Sequence, residues 1–170
     1  MKPAAAPSPT PRSVDAPRQL RGGMVGMGMI FDETYRPFFE QVRANGLYDR
    51  SFGTVEVPLV AVASRTGKRA ETYLRGAGAQ GASVKNLSGP DAVESLLRER
   101  VDFACVATPD DRHFEAAKQV LEAGVHLLIE KPSVLSLSQL DELLAIARRK
   151  QVLAKVVYHK LLDPDHKKLR

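Results

Sequence analysis

From Gly23 to Tyr158, short apolar runs alternate with longer amphipathic stretches, and that alternation constrains the fold more than any single motif. The runs that read as strands are Met24–Met27, Val57–Ala63, Ala82–Lys85, Asp102–Ala107, His126–Ile129 and Val152–Tyr158. Helices fall between them. One begins near Pro37, because proline lacks an N–H and clashes one turn back, and it stops at Asn45-Gly46. Others run over Lys68–Arg75, from Gly89-Pro90-Asp91 through Arg100, over Asp111–Ala123, and from a cap at Ser136 or Ser138 to Arg149. Strands joined by helices of this length need crossover connections, so they predict a parallel sheet covered on both faces. Val57–Ala63 is apolar on both faces, as a central strand should be. Ala82–Lys85 is short and half polar, which suits an edge. The expected fold is α/β, a doubly wound parallel sheet of about six strands in the order 3-2-1-4-5-6. The link Leu47–Glu56 reads as a long loop.

Composition bounds the rest. A chain of 170 residues can bury one sizeable core. Residues 1–20 are rich in proline and alanine with little to bury and read as a disordered tail. Residues 21–160 read as the folded domain, and 161–170 as the start of a linker. The net charge of +5 is spread out, and its densest clusters, Arg148-Arg149-Lys150 and Lys167-Lys168, sit at a helix end and in the tail. That distribution argues against nucleic acid as a partner. The single cysteine, Cys105, excludes an intrachain disulfide and a cysteine-rich zinc site. It fits a reducing, cytoplasmic location, and no apolar run has the length of a membrane span.

Within this frame the stretch Gly23–Phe31 carries chemistry. A strand runs into Gly26-x-Gly28, and a helix start follows through Met29 and Ile30. Gly26 would permit a sharp turn, and Gly28 would let a pyrophosphate approach the backbone, facing the N–H groups and positive dipole end of the helix. Phe31 stands where a third glycine is usual. Four more distinctive stretches close other strands: Ser64-Arg65, Thr108-Pro109, Glu130-Lys131-Pro132 and Tyr158-His159-Lys160. Ligands of open parallel sheets lie at the carboxyl ends of the strands, so five such stretches on one rim point to a dinucleotide site.

Ala107-Thr108-Pro109, His113 and Glu130-Lys131-Pro132, in that order behind the glycine turn, resemble the A-T-P-x-x-x-H and E-K-P patterns of the Gfo/Idh/MocA oxidoreductase family. The resemblance covers the chain from about Gly23 onward. It implies an NAD(P)-binding Rossmann domain of an enzyme that transfers a hydride at a carbon–oxygen bond of a sugar, polyol or related compound. The glycine turn would hold the pyrophosphate, and Thr108 and Pro109 would lie along the cofactor towards the nicotinamide. Lys131 would be the catalytic group, stabilising negative charge on the substrate oxygen. Glu130 would orient Lys131 and the cofactor, and Lys131–Pro132 is a candidate cis bond. For His113 a helix-capping or packing role and direct cofactor contact both stand open.

The chain departs from the family pattern in three places. Phe31 implies that the first helix packs or starts differently, in keeping with Pro37. His159-Lys160-Leu161 stands where many members carry an Asn-x-Arg-like sequence, leaving His159 to reach the ring. Family members also continue into a second domain that supplies most substrate contacts. A small-molecule substrate is therefore expected only where that domain is supplied, and the chain alone is expected to be inactive. A non-catalytic dinucleotide-binding regulatory module, or a silent truncated fragment, is the alternative.

The end of the second strand bears on the cofactor. An acidic residue there would accept hydrogen bonds from the ribose hydroxyls of NAD. The chain has Ser64-Arg65-Thr66 instead, and Asp49 precedes the strand. With no carboxylate to repel a 2′-phosphate and a guanidinium able to bind it, NADP is expected in preference to NAD.

Overall fold

A computed structural model describes residues 18–161 and 163–168. The expected tail therefore lies, up to residue 17, outside the described residues. Nine strands are formed among the described residues: β1 Arg18–Gln19, β2 Gly22–Val25, β3 Leu47–Asp49, β4 Gly53–Glu56, β5 Leu59–Ser64, β6 Lys85–Ser88, β7 Phe103–Val106, β8 His126–Ile129 and β9 Ala154–Val156. Six of them make one all-parallel sheet in the order β6-β5-β2-β7-β8-β9. This is third, second, first, fourth, fifth, sixth, the order expected of two mononucleotide-binding halves. The remaining three form a small sheet, β1-β4-β3.

Helices α1 Arg36–Asn45 and α2 Lys68–Gly76 cover one face of the large sheet. Helices α3 Ala92–Leu97, α4 His113–Glu122 and α5 Leu137–Lys150 cover the other, and a short α6, Pro164–Lys168, follows the sheet. Alternation along the strands sorts the core into two layers. Val25, Ala61, Ala63, Ala104, Val106, Leu127 and Ile129 pack with Leu96, Val120, Leu121, Leu143 and Ile146. Met24, Val62 and Cys105 turn the other way and pack with Phe31, Tyr35, Phe39, Val42 and Ala70. The apolar runs with no polar alternation are therefore strands buried on both faces. Ser136 is the residue that caps α5, its Oγ accepting from the Gln139 N–H at 3.3 Å.

Three local features differ from the sequence expectation. The link after α1 is an antiparallel hairpin, Leu47 pairing with Val55 and Asp49 with Gly53. Its turn is shaped by the Asp49 carboxylate, which accepts from the Ser51 N–H at 2.8 Å, and by Gly53 at φ 78°. The third strand of the sheet begins at Lys85 rather than ending there, because Gly78–Ser83 forms a 3-10 helix. Its register is held by Ser64 opposite Ser88 and by the Asn86 side chain donating to the Gly67 carbonyl at 3.0 Å.

The third difference lies at the first helix. The chain turns helical from Met29, widens into a π-helical turn over Phe31–Tyr35, and becomes a regular α-helix at Arg36. The Arg36 N–H reaches back to the Phe31 carbonyl, so the missing N–H of Pro37 falls at the entrance of α1, where it costs little. Phe31 is 1 % exposed and meets the Tyr73 ring of α2 edge-on at 5.0 Å between centroids. A bulky ring fits at the third glycine position because the wide turn and α2 leave it a slot.

Candidate dinucleotide site

The carboxyl ends of β2, β5 and β7 open into a cavity of about 920 Å³. Of the residues singled out in the sequence, Gly26, Gly28, Met29, Ile30, Ser64, Arg65, Thr108 and Pro109 line it together. Gly26 sits at φ 96°, and a Cβ there would lie 2.3 Å from the Ala107 carbonyl oxygen, so the turn admits only glycine. Its N–H donates to the Ala63 carbonyl at 2.9 Å, fastening the turn to the neighbouring strand. Gly28 is different, since a Cβ built there meets nothing within 4 Å. Its lack of a side chain leaves open space at the cavity wall, where an anion can reach the backbone. Its carbonyl accepts from the Phe31 N–H at 3.1 Å, which begins the helical turn.

On the facing wall, Thr108 Oγ1 is shielded from solvent and has no hydrogen-bond partner among the described residues. Such a group calls for a ligand or a water. At the other end, Ser64 Oγ accepts from the Gly67 N–H at 3.1 Å, and the Arg65 carbonyl accepts from the Gly89 N–H at 3.2 Å. The Arg65 side chain is exposed, and no ion pair ties its guanidinium among the described residues. An open glycine, an orphan hydroxyl and a free guanidinium along one cavity suit a long, anionic, partly apolar molecule. These residues fit a nicotinamide dinucleotide.

Glu130, Lys131 and His113 are set behind or beside this cavity. Lys131 is exposed, and the Lys131–Pro132 bond is cis. Glu130 is 4 % exposed, and its Oε1 accepts a hydrogen bond from the Tyr35 hydroxyl at 2.9 Å. His113, the first residue of α4, is 1 % exposed. Its Nδ1 lies 2.7 Å from the Pro132 carbonyl oxygen and its Nε2 lies 2.8 Å from the Thr108 carbonyl oxygen. His159 opens a 3-10 turn, Tyr158 before it is exposed, and the His159 side chain lies outside the described residues.

Sequence reasoning passed over Tyr35, Gly89-Pro90 and Arg112. Tyr35 carried no local signal, because its partner is 95 positions away. Gly89-Pro90, read as a helix opening, follows β6 directly and lines the cavity, as does Arg112 in the turn before α4. Their place at a strand end was the available signal. Burial, reinforced by the neighbouring Cys105 and Glu130, holds the Tyr35 hydroxyl well above the usual phenol range, so it remains a donor. Burial and then Glu130 push the Cys105 thiol up to about 12, which leaves it inert.

A doubly wound sheet with a glycine turn, an open backbone cradle and a rim cavity at its topological switch point defines a dinucleotide-binding Rossmann domain. The model of the Gfo/Idh/MocA group, described as "Oxidoreductase family, NAD-binding Rossmann fold", matches residues 20–158, and the chain belongs to that family. The oxidoreductase YfiI of Bacillus subtilis (strain 168) is 28% identical over 141 residues, which are 83% of this chain and 34% of YfiI. The UDP-N-acetylglucosamine 3-dehydrogenase of Acidithiobacillus ferrooxidans is 35% identical over 79 residues, 46% of this chain and 25% of that enzyme. The solved structure of that dehydrogenase superposes with a TM-score of 0.65 at 25% identity, covering 89% of this chain and 41% of the other. KijD10, a 3-ketoreductase from Actinomadura kijaniata solved with TDP-benzene and NADP, gives 0.68 at 27% identity, covering 91% of this chain and 42% of the other. The chain thus spans well under half the length of these relatives.

Proposed function

We propose that residues 21–160 are the cofactor-binding unit of an NAD(P)-dependent oxidoreductase acting at a carbon–oxygen bond of a sugar, polyol or related compound, with NADP preferred. The observation that carries the reading is the open space over Gly28, in one cavity with the Thr108 hydroxyl and the Arg65 guanidinium, both without a partner among the described residues. Relatives that act on a UDP-sugar or hold NADP support the compound class and the cofactor.

In this reading the backbone at Gly26, Gly28, Met29 and Ile30 binds the pyrophosphate, and Arg65 with Ser64 takes the 2′-phosphate by charge-assisted hydrogen bonds. A bound nicotinamide supplies hydride acceptance or donation. Lys131 holds an ammonium at the rim, where its Nζ hydrogen-bonds the substrate oxygen and stabilises its developing charge. Glu130, fastened by Tyr35, fixes the start of that loop. Thr108 and Pro109 exclude water along the cofactor. His159 stays assigned to the nicotinamide side. Substrate binding calls for surfaces beyond this unit, and a reducing cytoplasmic setting suits the buried free thiol of Cys105. Among the described residues no helix is long and apolar enough to cross a membrane.

Titration settles the reading. The chain has no tryptophan, so the fluorescence of NADPH or NADH reports binding without indole background. Saturable binding of NADPH, displaced by NADP, is the expected result. Absence of saturable binding for both cofactors would overturn it.

A further inference from the structure

Two walls of the cavity are left without a role by the assignment of the phosphates. One is the chain that follows β6 and enters α3, with Gly89, Pro90 and Val93 lining the cavity. The other is the turn before α4 and the start of that helix, which bring Asp111, Arg112 and Glu115. The Gly89 N–H donates to the Arg65 carbonyl at 3.2 Å, so Pro90 stands beside the residue assigned to the 2′-phosphate. In the cofactor the adenine is carried by the ribose carbon next to the one that bears this phosphate. The base therefore falls in the same part of the cavity, against Pro90 and Val93. Both side chains are apolar, Pro90 exposed and Val93 half-buried, as suits the face of a ring.

The facing wall is seated on the loop after β7, where the Arg112 N–H donates to the Pro109 carbonyl at 2.9 Å. The Arg112 side chain is exposed, and it forms no ion pair among the described residues. Charge separates the two tasks that an arginine could have here. The carboxylates among the residues lining the cavity, Asp111 and Glu115, both belong to the wall of Arg112. Two carboxylates against one guanidinium disfavour a phosphate at that wall. They leave the flat guanidinium free to lie on a neutral π-face, where a planar cation is attracted to the ring.

We infer that Arg112 is a binding residue for the adenine of the cofactor, lying over one face of the base while Pro90 and Val93 close the other. The inference rests on the dinucleotide reading, and it assigns the base, which that reading leaves without a partner. Holding the base by its faces selects a flat heteroaromatic ring, and the plane of the guanidinium does this as much as its charge.

Three variants of the full chain separate plane from charge. Arg112→Ala removes both, Arg112→Lys keeps the charge alone, and Arg112→Tyr keeps a plane alone. NADPH is titrated by its fluorescence, and 2′,5′-ADP is measured by competition. Arg112→Ala and Arg112→Lys are each expected to bind both ligands about fivefold or more weakly than wild type, and Arg112→Tyr to stay within about twofold. The melting temperature is expected to be unchanged in all three, since the side chain is exposed. Lysine binding as well as wild type would show a phosphate contact and overturn the base role, as would tyrosine binding no better than alanine. Unchanged affinity in Arg112→Ala would sink the inference and leave the dinucleotide reading standing. A wild type that binds neither ligand would refute that reading, and the base role with it.

Discussion

The Tyr35 hydroxyl donates to Oε1 of Glu130 at 2.9 Å in a buried contact that joins the wide first helical turn to the strand end that carries Lys131. A carboxylate 4 % exposed needs its lone pairs matched, and here the donor is a phenol held protonated by its own burial. Replacing Tyr35 by Phe keeps the ring and leaves Glu130 one donor short. Unfolding free energy is expected to fall by about 1–3 kcal/mol, the usual cost of an unsatisfied buried group. Glu130→Gln retains an acceptor for the hydroxyl and is expected to cost less. Urea denaturation of the three proteins checks both, and equal midpoints for wild type and Tyr35→Phe would show the hydroxyl to be idle.

The glycines of the turn should separate fold from ligand. Gly28→Val places its side chain in open space, so the fold is expected to persist while NADPH affinity drops at least tenfold, about 1.4 kcal/mol. Gly26→Val must instead drive a Cβ onto the Ala107 carbonyl from a left-handed backbone, and it is expected to lower the melting temperature. Full cofactor affinity in a folded Gly28→Val protein would remove that residue from the site.

Arg65 should decide between cofactors. Arg65→Ala removes a charge-assisted pair worth about 1.5–3 kcal/mol, so NADP affinity is expected to fall by about tenfold or more while NAD affinity changes little. Two titrations on wild type and variant give the comparison. Equal losses for the two cofactors, or a wild type that prefers NAD, would refute the 2′-phosphate role.

Alkaline pH should expose the buried thiol. The Cys105 pKa is raised in the folded state, from an ordinary value of 9.0 to about 12, mainly by burial. Above the ordinary value the unfolded chain loses this proton and the folded chain keeps it, so stability is full below about pH 9 and declines as pH rises towards 12. The decline reaches about 1.4 kcal/mol per pH unit for the one group. Tyr35, also shifted upward by burial, adds to it at the top of the range. Denaturation of wild type and Cys105→Ala from neutral to strongly alkaline pH measures the difference. Parallel stability curves for the two proteins would refute the contribution.

Much of this molecule was legible because local chemistry permits few alternatives. Strands buried on both faces must be apolar throughout, so Val57–Ala63 and His126–Ile129 announced themselves. The half-polar edge was harder, since Lys85, Asn86 and Ser88 carry almost no periodic signal and their register depends on pairing with β5. The hairpin at Leu47–Glu56 was missed for a related reason. Its strands are short and mostly exposed, so no buried stripe marked them.

By itself the sequence determined the parallel sheet, its strand order, and the gathering of the glycine turn, Ser64-Arg65 and Thr108-Pro109 on one rim. Periodicity, crossover length and the steric freedom of glycine are properties of neighbouring residues, and they act before any distant contact forms. Only the tertiary structure decided that Phe31 fills a slot against Tyr73, that Tyr35 serves Glu130, and that His113 spans two carbonyls. Those choices depend on which donor meets which acceptor after the layers close, and residue type alone places no limit on that pairing.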